Sequence, residues 1–192
     1  MEKYIKRKQL TPEQYTMANG TMAIILAVCH LLYVGVEFIN NGLSDAGVIG
    51  RCVLYIGLAA LNLVVVRIKG DKKLCMFFLS FSYLIAYTTL IFTNGVVVMI
   101  LAFPALIGFM LYLNTLLVGI GCILTFIVCV GKCLVVNAGG DTVLFGYANL
   151  ITISFAIAIF GSYKAIMILY RFSEQDREVI EKEAAHRAEV AD

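Results

Sequence analysis

From Val96 to Val136 the chain is almost wholly apolar for about 40 residues, twice the roughly 20 that one membrane-spanning helix requires. Hydrocarbon offers the backbone no partners, so a segment of this kind bonds its own N–H and C=O groups as helix. Its length makes it two helices, divided at Asn114-Thr115 as Val96 to Leu113 and Leu116 to Val136. Windows of the same size mark four further blocks: Met17 to Ile39, Gly50 to Val66, Leu74 to Phe92 and Val143 to Tyr170. The links between blocks are short. Asn40-Asn41-Gly42, Thr93-Asn94-Gly95 and Asn137-Ala138-Gly139-Gly140 carry turn chemistry, and Lys69-Gly70-Asp71-Lys72 is a charged turn. The expected fold is therefore all-α: a polytopic six-transmembrane-helix bundle (17–170), preceded by a cytoplasmic segment (1–16) and followed by a cytoplasmic helix (171–192).

Composition agrees. Hydrophobic residues are 61% of the chain, charged residues 15%, and the mean hydropathy is +0.90, more apolar surface than a soluble domain of this size can hide. Of 15 basic residues, those flanking the spans sort by side. With the N-terminus inside, Lys3, Lys6, Arg7, Lys8, Arg67, Lys69, Lys72, Lys73, Lys164 and Arg171 lie at the inner face, and only Arg51 and Lys132 lie outside. The positive-inside rule then puts both termini in the cytoplasm. Short juxtamembrane clusters of this kind are topology signals, and nucleic acid is not an expected partner. Ser44-Asp45-Ala46 loosely matches a cleavage site, but Met17 to Ile39 is too long for a signal-peptide core and carries His30 and Glu37, so it is expected to be a retained first span.

Polar side chains inside spans are costly and need partners or a wet cavity. His30, Tyr33 and Glu37 share one face of span one, and Arg51, Tyr55 and Asn62 share one face of span two. The linking loop is short, so Glu37 and Arg51 are expected to meet near the outer surface. Tyr83 and Tyr87 lie along span three, Lys132 on span five, and Tyr147 and Asn149 on span six. Two readings stand side by side. In one, Glu37, Arg51, Tyr55, Tyr83, Tyr87, Lys132, Tyr147 and Asn149 line an outward-facing pocket for a small polar or zwitterionic ligand. In the other, Glu37 with Arg51 or Lys132 is a helix-pinning ion pair, and the tyrosines are interfacial anchors. His30 is either a proton-sensitive switch or a hydrogen-bonded bundle histidine. Pro104 frees a carbonyl in span four and permits a kink, a second candidate switch.

Six cysteines fall mostly within apolar runs and read as buried thiols. Cys129 and Cys133, one turn apart near Lys132, leave a thiol pair or soft-metal site open, yet no further ligands stand nearby and neither metal nor cofactor is expected. Ser154, Ala158 and Ser162 make a small-residue seam on span six, for packing within the bundle or between two protomers. No hydrolase, zinc-protease or P-loop motif is present, so an enzyme is not expected.

Beyond Arg171 the character changes. Seven of the 13 acidic residues (Glu174, Asp176, Glu178, Glu181, Glu183, Glu189, Asp192) lie there, in a helix-forming segment with no Gly or Pro stop. The expectation is that an output domain follows it. Ser173 is a candidate N-cap, and continuation from span six without a break is the alternative. The segment Glu178-Val179-Ile180-Glu181-Lys182-Glu183-Ala184-Ala185-His186-Arg187-Ala188-Glu189-Val190-Ala191 resembles the start of the cytoplasmic signalling helix of bacterial methyl-accepting chemotaxis-type transducers. The resemblance covers about the last tenth of the chain. It implies a receptor in the bacterial inner membrane that couples ligand occupancy to a helical bundle controlling a histidine kinase, although the HAMP-like helices, methylation helices and hairpin tip of that family have no counterpart in this sequence. The leading expectation is thus a homodimeric sensory input module. A small transporter or channel-like protein is the alternative, and a structural membrane subunit is the third.

Overall fold

The computed structural model describes residues 10–42, 45–112 and 115–191. Helix α1 (Pro12–Asn41) opens with a capping box: the Thr11 hydroxyl accepts from the Gln14 amide at 3.2 Å, and the Gln14 side chain accepts from the Thr11 amide at 2.9 Å. Pro12 adds a preset φ where no N–H is needed. These signals start the helix five residues before the apolar block. α1 ends at Gly42, whose φ of 66° suits a residue without a Cβ. Asp45 caps α2 (Ala46–Lys69) by accepting from the Gly47 amide at 3.0 Å. A three-residue turn, Gly70 to Lys72, leads to α3 (Lys73–Thr93).

The fourth span departs from expectation. Val96–Leu101 is a 3-10 helix, and only Ala102–Met110 (α4) is α-helical. Three consecutive valines, stiff at χ1, disfavour the α form at this start, and a 3-10 segment rises about 2 Å per residue. Together the two pieces reach about 25 Å, just short of a hydrocarbon core of about 30 Å. Pro104 therefore does not kink the middle of a helix. It is the third residue of α4, where a missing N–H costs little, and the change of helix type precedes it.

The long apolar stretch is divided where the sequence places the split, α4 ending at Met110 and α5 (Thr115–Ala138) beginning at Thr115; Asn114 lies outside the described residues. After a turn through Gly140 at φ 78°, Asp141 caps α6 by accepting from the amides of Val143 and Leu144. α6 (Thr142–Ala191) is a single helix of 50 residues, about 75 Å long. It runs through Ser173 without a break, so Ser173 starts no new helix.

Five helices are long and apolar enough to cross a membrane, and Val96–Met110 supplies a shorter sixth. No strand occurs among the described residues. The molecule is an all-α polytopic membrane bundle. α3 is its most buried long helix and α6 its least. α1 packs against α2, α3 and α4, and α6 against α5, α4 and the 3-10 helix. α1 and α4 approach closely at Gly108, where a Cβ would collide with the end of Met22.

Candidate functional site

At one end of the bundle, the α1–α2 turn, the end of α3 and the end of α5 converge on Glu37. Its side chain is fully buried, whereas Arg51 keeps 23% side-chain exposure. Arg51 grips the carboxylate at two points, Nε to Oε1 at 3.0 Å and Nη2 to Oε2 at 3.1 Å, the fork geometry that makes arginine–carboxylate pairs strong. Asn94 Nδ2 donates to Oε1 at 2.9 Å and Asn41 Nδ2 to Oε2 at 2.9 Å. The Thr93 hydroxyl lies 3.1 Å from Oε1 and the Tyr55 hydroxyl 3.4 Å. A carboxylate has about four lone-pair directions, and the chain's own donors take them all.

Asn94 is the hub of this knot. Besides serving Glu37, its Oδ1 accepts from Asn40 at 3.0 Å and from Asn41 at 3.3 Å. Its backbone carbonyl accepts from Lys132 Nζ at 2.7 Å. Lys132 thus joins the knot through Asn94, and no ion pair to Glu37 forms. The next residue, Cys133, places its sulfur 3.2 Å from the Thr152 hydroxyl on α6. A chain of direct contacts therefore runs from Glu37 through Asn94 and α5 to α6.

A second clamp closes the opposite end. Asn19 Nδ2 donates to the Gly70 carbonyl at 2.7 Å, and Asn19 Oδ1 accepts from the Tyr112 hydroxyl at 2.9 Å. This ties α1 to the α2–α3 turn and to the end of α4.

Between the clamps lies a layer of buried polar side chains of a different kind. Both ring nitrogens of His30, the hydroxyls of Tyr33, Ser82 and Tyr83, and the Asn62 amide have no hydrogen-bond partner among the described residues. Native folds satisfy nearly all such groups with protein or ordered water, so this layer is the most polar unpaired part of the bundle interior among the described residues. His30 packs edge-on against Tyr33, and Tyr33 against Tyr55. Tyr83 stacks on Tyr87 with ring centroids 5.5 Å apart. His30 is therefore buried but lacks the hydrogen bonds a structural bundle histidine would make.

The eight expected site residues separate into groups. Glu37, Arg51 and Tyr55 meet directly, and Lys132 adjoins them through Asn94. Tyr87 sits deeper, donating to the Met99 carbonyl at 2.9 Å with Cys129 sulfur 3.4 Å away. Tyr83 belongs to the unpartnered layer. Tyr147 is 58% exposed on the outer face of α6 and is not part of the cluster. Asn149 is half-buried on that helix and makes none of the bonds described. The six cysteines are free and buried. Among the described residues no group of three metal-ligating side chains occurs, and Cys129 and Cys133 turn to Tyr87 and Thr152.

Asn40 and Asn41 look like turn residues in sequence, yet they hold the knot together with Asn94, which the sequence also places on the polar stripe of span three with Tyr83 and Tyr87. Asn19 is a second surprise. It lies eighteen residues, five helical turns, before Glu37 and on the stripe that carries His30, a periodicity that would have exposed it.

Comparison with known proteins finds no matching family model, no matching curated protein and no matching solved structure. The class of the molecule, an all-α membrane bundle with a polar knot at each end, rests on its own geometry.

Proposed function

We propose that the chain is a membrane-embedded sensory input module in which ligand binding or a change in the bilayer shifts α6, and α6 carries that shift to a cytoplasmic output. The observation that carries this reading is the unbroken helix from Thr142 to Ala191, apolar to Leu169 and charged beyond Arg171. A rigid helix transmits rotation or translation along its length, whereas a flexible joint would absorb it. Arg67, Lys69, Lys72, Lys73 and Arg171 gather at the Asn19 end, which the positive-inside rule assigns to the cytoplasm. The Glu37 knot then faces outward, and the Asn94–Lys132 and Cys133–Thr152 contacts link it to α6. Two packings that differ in those contacts give an input something to select. The exposed flank of α6, including Ser154, fits the homodimer this reading expects.

The test uses spin labels at Lys69→Cys and Gln175→Cys, both exposed positions; the native cysteines are buried and react poorly. Asn94→Ala is expected to shift the label-to-label distance distribution, and adding Thr152→Val is expected to cancel the shift. An unchanged distribution in a folded Asn94→Ala protein would overturn the coupling.

A transporter is the second reading, favoured by the unpartnered layer around His30, Tyr33 and Tyr83 between the clamps. It predicts proton flux into vesicles holding the protein, read by an entrapped pH dye and lost in His30→Phe; the sensor reading predicts none.

A further inference from the structure

The end of α2 and the start of α3 carry four cations within seven residues, Arg67, Lys69, Lys72 and Lys73, and all four are exposed. Asp71 is the single acid among them. It pairs with Lys72 at 2.7 Å, and four cations less one acid leave this stretch a net charge of +3. Arg67, Lys69 and Lys73 have no carboxylate partner among the described residues. Arg67 stands three residues before Gly70 and Lys73 three after it, which confines the four cations to a layer about 5 Å deep. The headgroup layer on each side of a hydrocarbon core is about 5 to 7 Å thick.

Exposed aliphatic side chains share this layer. Ile68 is 66% exposed and Leu74 77%, and each is next in sequence to an unpaired cation. The Lys73 ammonium lies 6.0 Å from the centre of the Phe77 ring, which is itself exposed on the flank of the bundle. Cations interleaved with exposed apolar groups fit the boundary of a bilayer, where the charges meet headgroups and the aliphatics meet the first methylenes of the acyl chains. The backbone beneath is held in place. Asn19, fully buried, donates to the Gly70 carbonyl at 2.7 Å and reaches the Lys72 carbonyl at 3.4 Å. The cations therefore project from a fixed turn, and less ordering entropy is lost when they engage a partner.

We infer that the α2–α3 turn is a binding surface for the headgroups of anionic phospholipids. Charge sets the class. Three unpaired cations in one layer complement phosphodiester anions, and each cation near an anionic leaflet is worth about fivefold in affinity. A zwitterionic headgroup brings no net charge to the exchange. The interleaved aliphatics set the source, because a lipid covers Ile68 and Leu74 with acyl chain and a free phosphate ion leaves them bare. This surface is separate from the α6 coupling and stands or falls without it.

The chain contains no tryptophan, so Leu74→Trp places a lone fluorophore in the patch. Val97→Trp places one at an equally exposed position at the other end of the bundle. The full-length protein is reconstituted in phosphatidylcholine vesicles that contain a minor fraction of either brominated phosphatidylglycerol or brominated phosphatidylcholine with the same acyl chains. Quenching of the Leu74→Trp protein is expected to report at least a fivefold preference for phosphatidylglycerol, and the Val97→Trp protein none. In the Leu74→Trp background, Lys69→Gln should lower the preference. Asp71→Asn, which removes the local acid and frees Lys72, should raise it about fivefold. Lys164→Gln, which removes an exposed cation from α6, should leave it unchanged, as should inorganic phosphate added at constant ionic strength. Equal quenching of the Leu74→Trp protein by the two brominated lipids overturns the proposal, and so does an equal preference at Val97→Trp. Loss of the preference in inorganic phosphate overturns the assignment to lipid. A fall with Lys164→Gln as large as that with Lys69→Gln, or no rise with Asp71→Asn, overturns the assignment to this turn.

Discussion

Replacing Arg51 with Met should destabilise the bundle far more than neutralising its partner. Arg51→Met removes both charge-assisted hydrogen bonds from a carboxylate with no solvent exposure. Removing one partner of a buried pair costs about 3 to 5 kcal/mol, because the remaining charge stays desolvated. Asn41 and Asn94 still donate to Glu37 after the change, so the lower end, about 3 kcal/mol, applies. Glu37→Gln behaves differently. The amide keeps the shape of the side chain, and the freed guanidinium is already 23% exposed and can be hydrated, giving a loss of about 1 to 2 kcal/mol. Once residue 37 is neutral, Arg51 has little left to stabilise. The double variant should then lose only about 2 kcal/mol, well short of additivity, with a coupling energy of about 2 to 3 kcal/mol. Thermal unfolding in detergent, followed by circular dichroism, reads these values; a chain of this size loses about 2 to 4 °C per kcal/mol. An Arg51→Met loss below about 1 kcal/mol, or additive single variants, would refute the view that this knot is a buried electrostatic clamp.

Lys132→Met should stay within about 1 kcal/mol of wild type in the same assay, because it removes one hydrogen bond to the Asn94 carbonyl and replaces a buried amine with an apolar side chain of similar length; a loss as large as that of Arg51→Met would show that the amine carries more of the knot than this contact. Tyr112→Phe leaves the buried Asn19 Oδ1 without its donor, and should cost about 1 to 3 kcal/mol. Asn19→Leu should cost more than Tyr112→Phe in the same assay, because it also leaves the buried Gly70 carbonyl without its donor; a smaller loss would argue against Asn19 as the centre of this clamp.

Much of the molecule was legible because hydrocarbon is an unforgiving solvent. Apolar length marked the helices, and the Glu37–Arg51 pair followed from two helical faces joined by a short loop. Span four was harder to read. Its composition looked like any other span, and the run of valines that turns its start into a 3-10 helix is a local steric effect that hydropathy ignores. Asn40 and Asn41 have the composition of a turn, yet both close helix α1, where Asn41 donates to Glu37 one turn back and Asn40 donates to Asn94 at the end of α3. Tyr147 stands apart from the cluster for the opposite reason. It shares a depth with Glu37, but the rotation of α6 about its own axis turns it outward, and depth alone carries no information on rotation.

The sequence by itself determined that this chain enters a membrane, where its apolar blocks lie, and which end gathers the positive charge. These follow from transfer free energy and charge placement, which depend on residues one at a time. Tertiary structure decided which polar groups satisfy one another. It closed a saturated knot around Glu37, a second clamp around Asn19, and left His30, Tyr33 and Tyr83 without partners between them. Hydrogen bonds need both distance and direction between groups far apart in the chain, and those are set only when the helices pack.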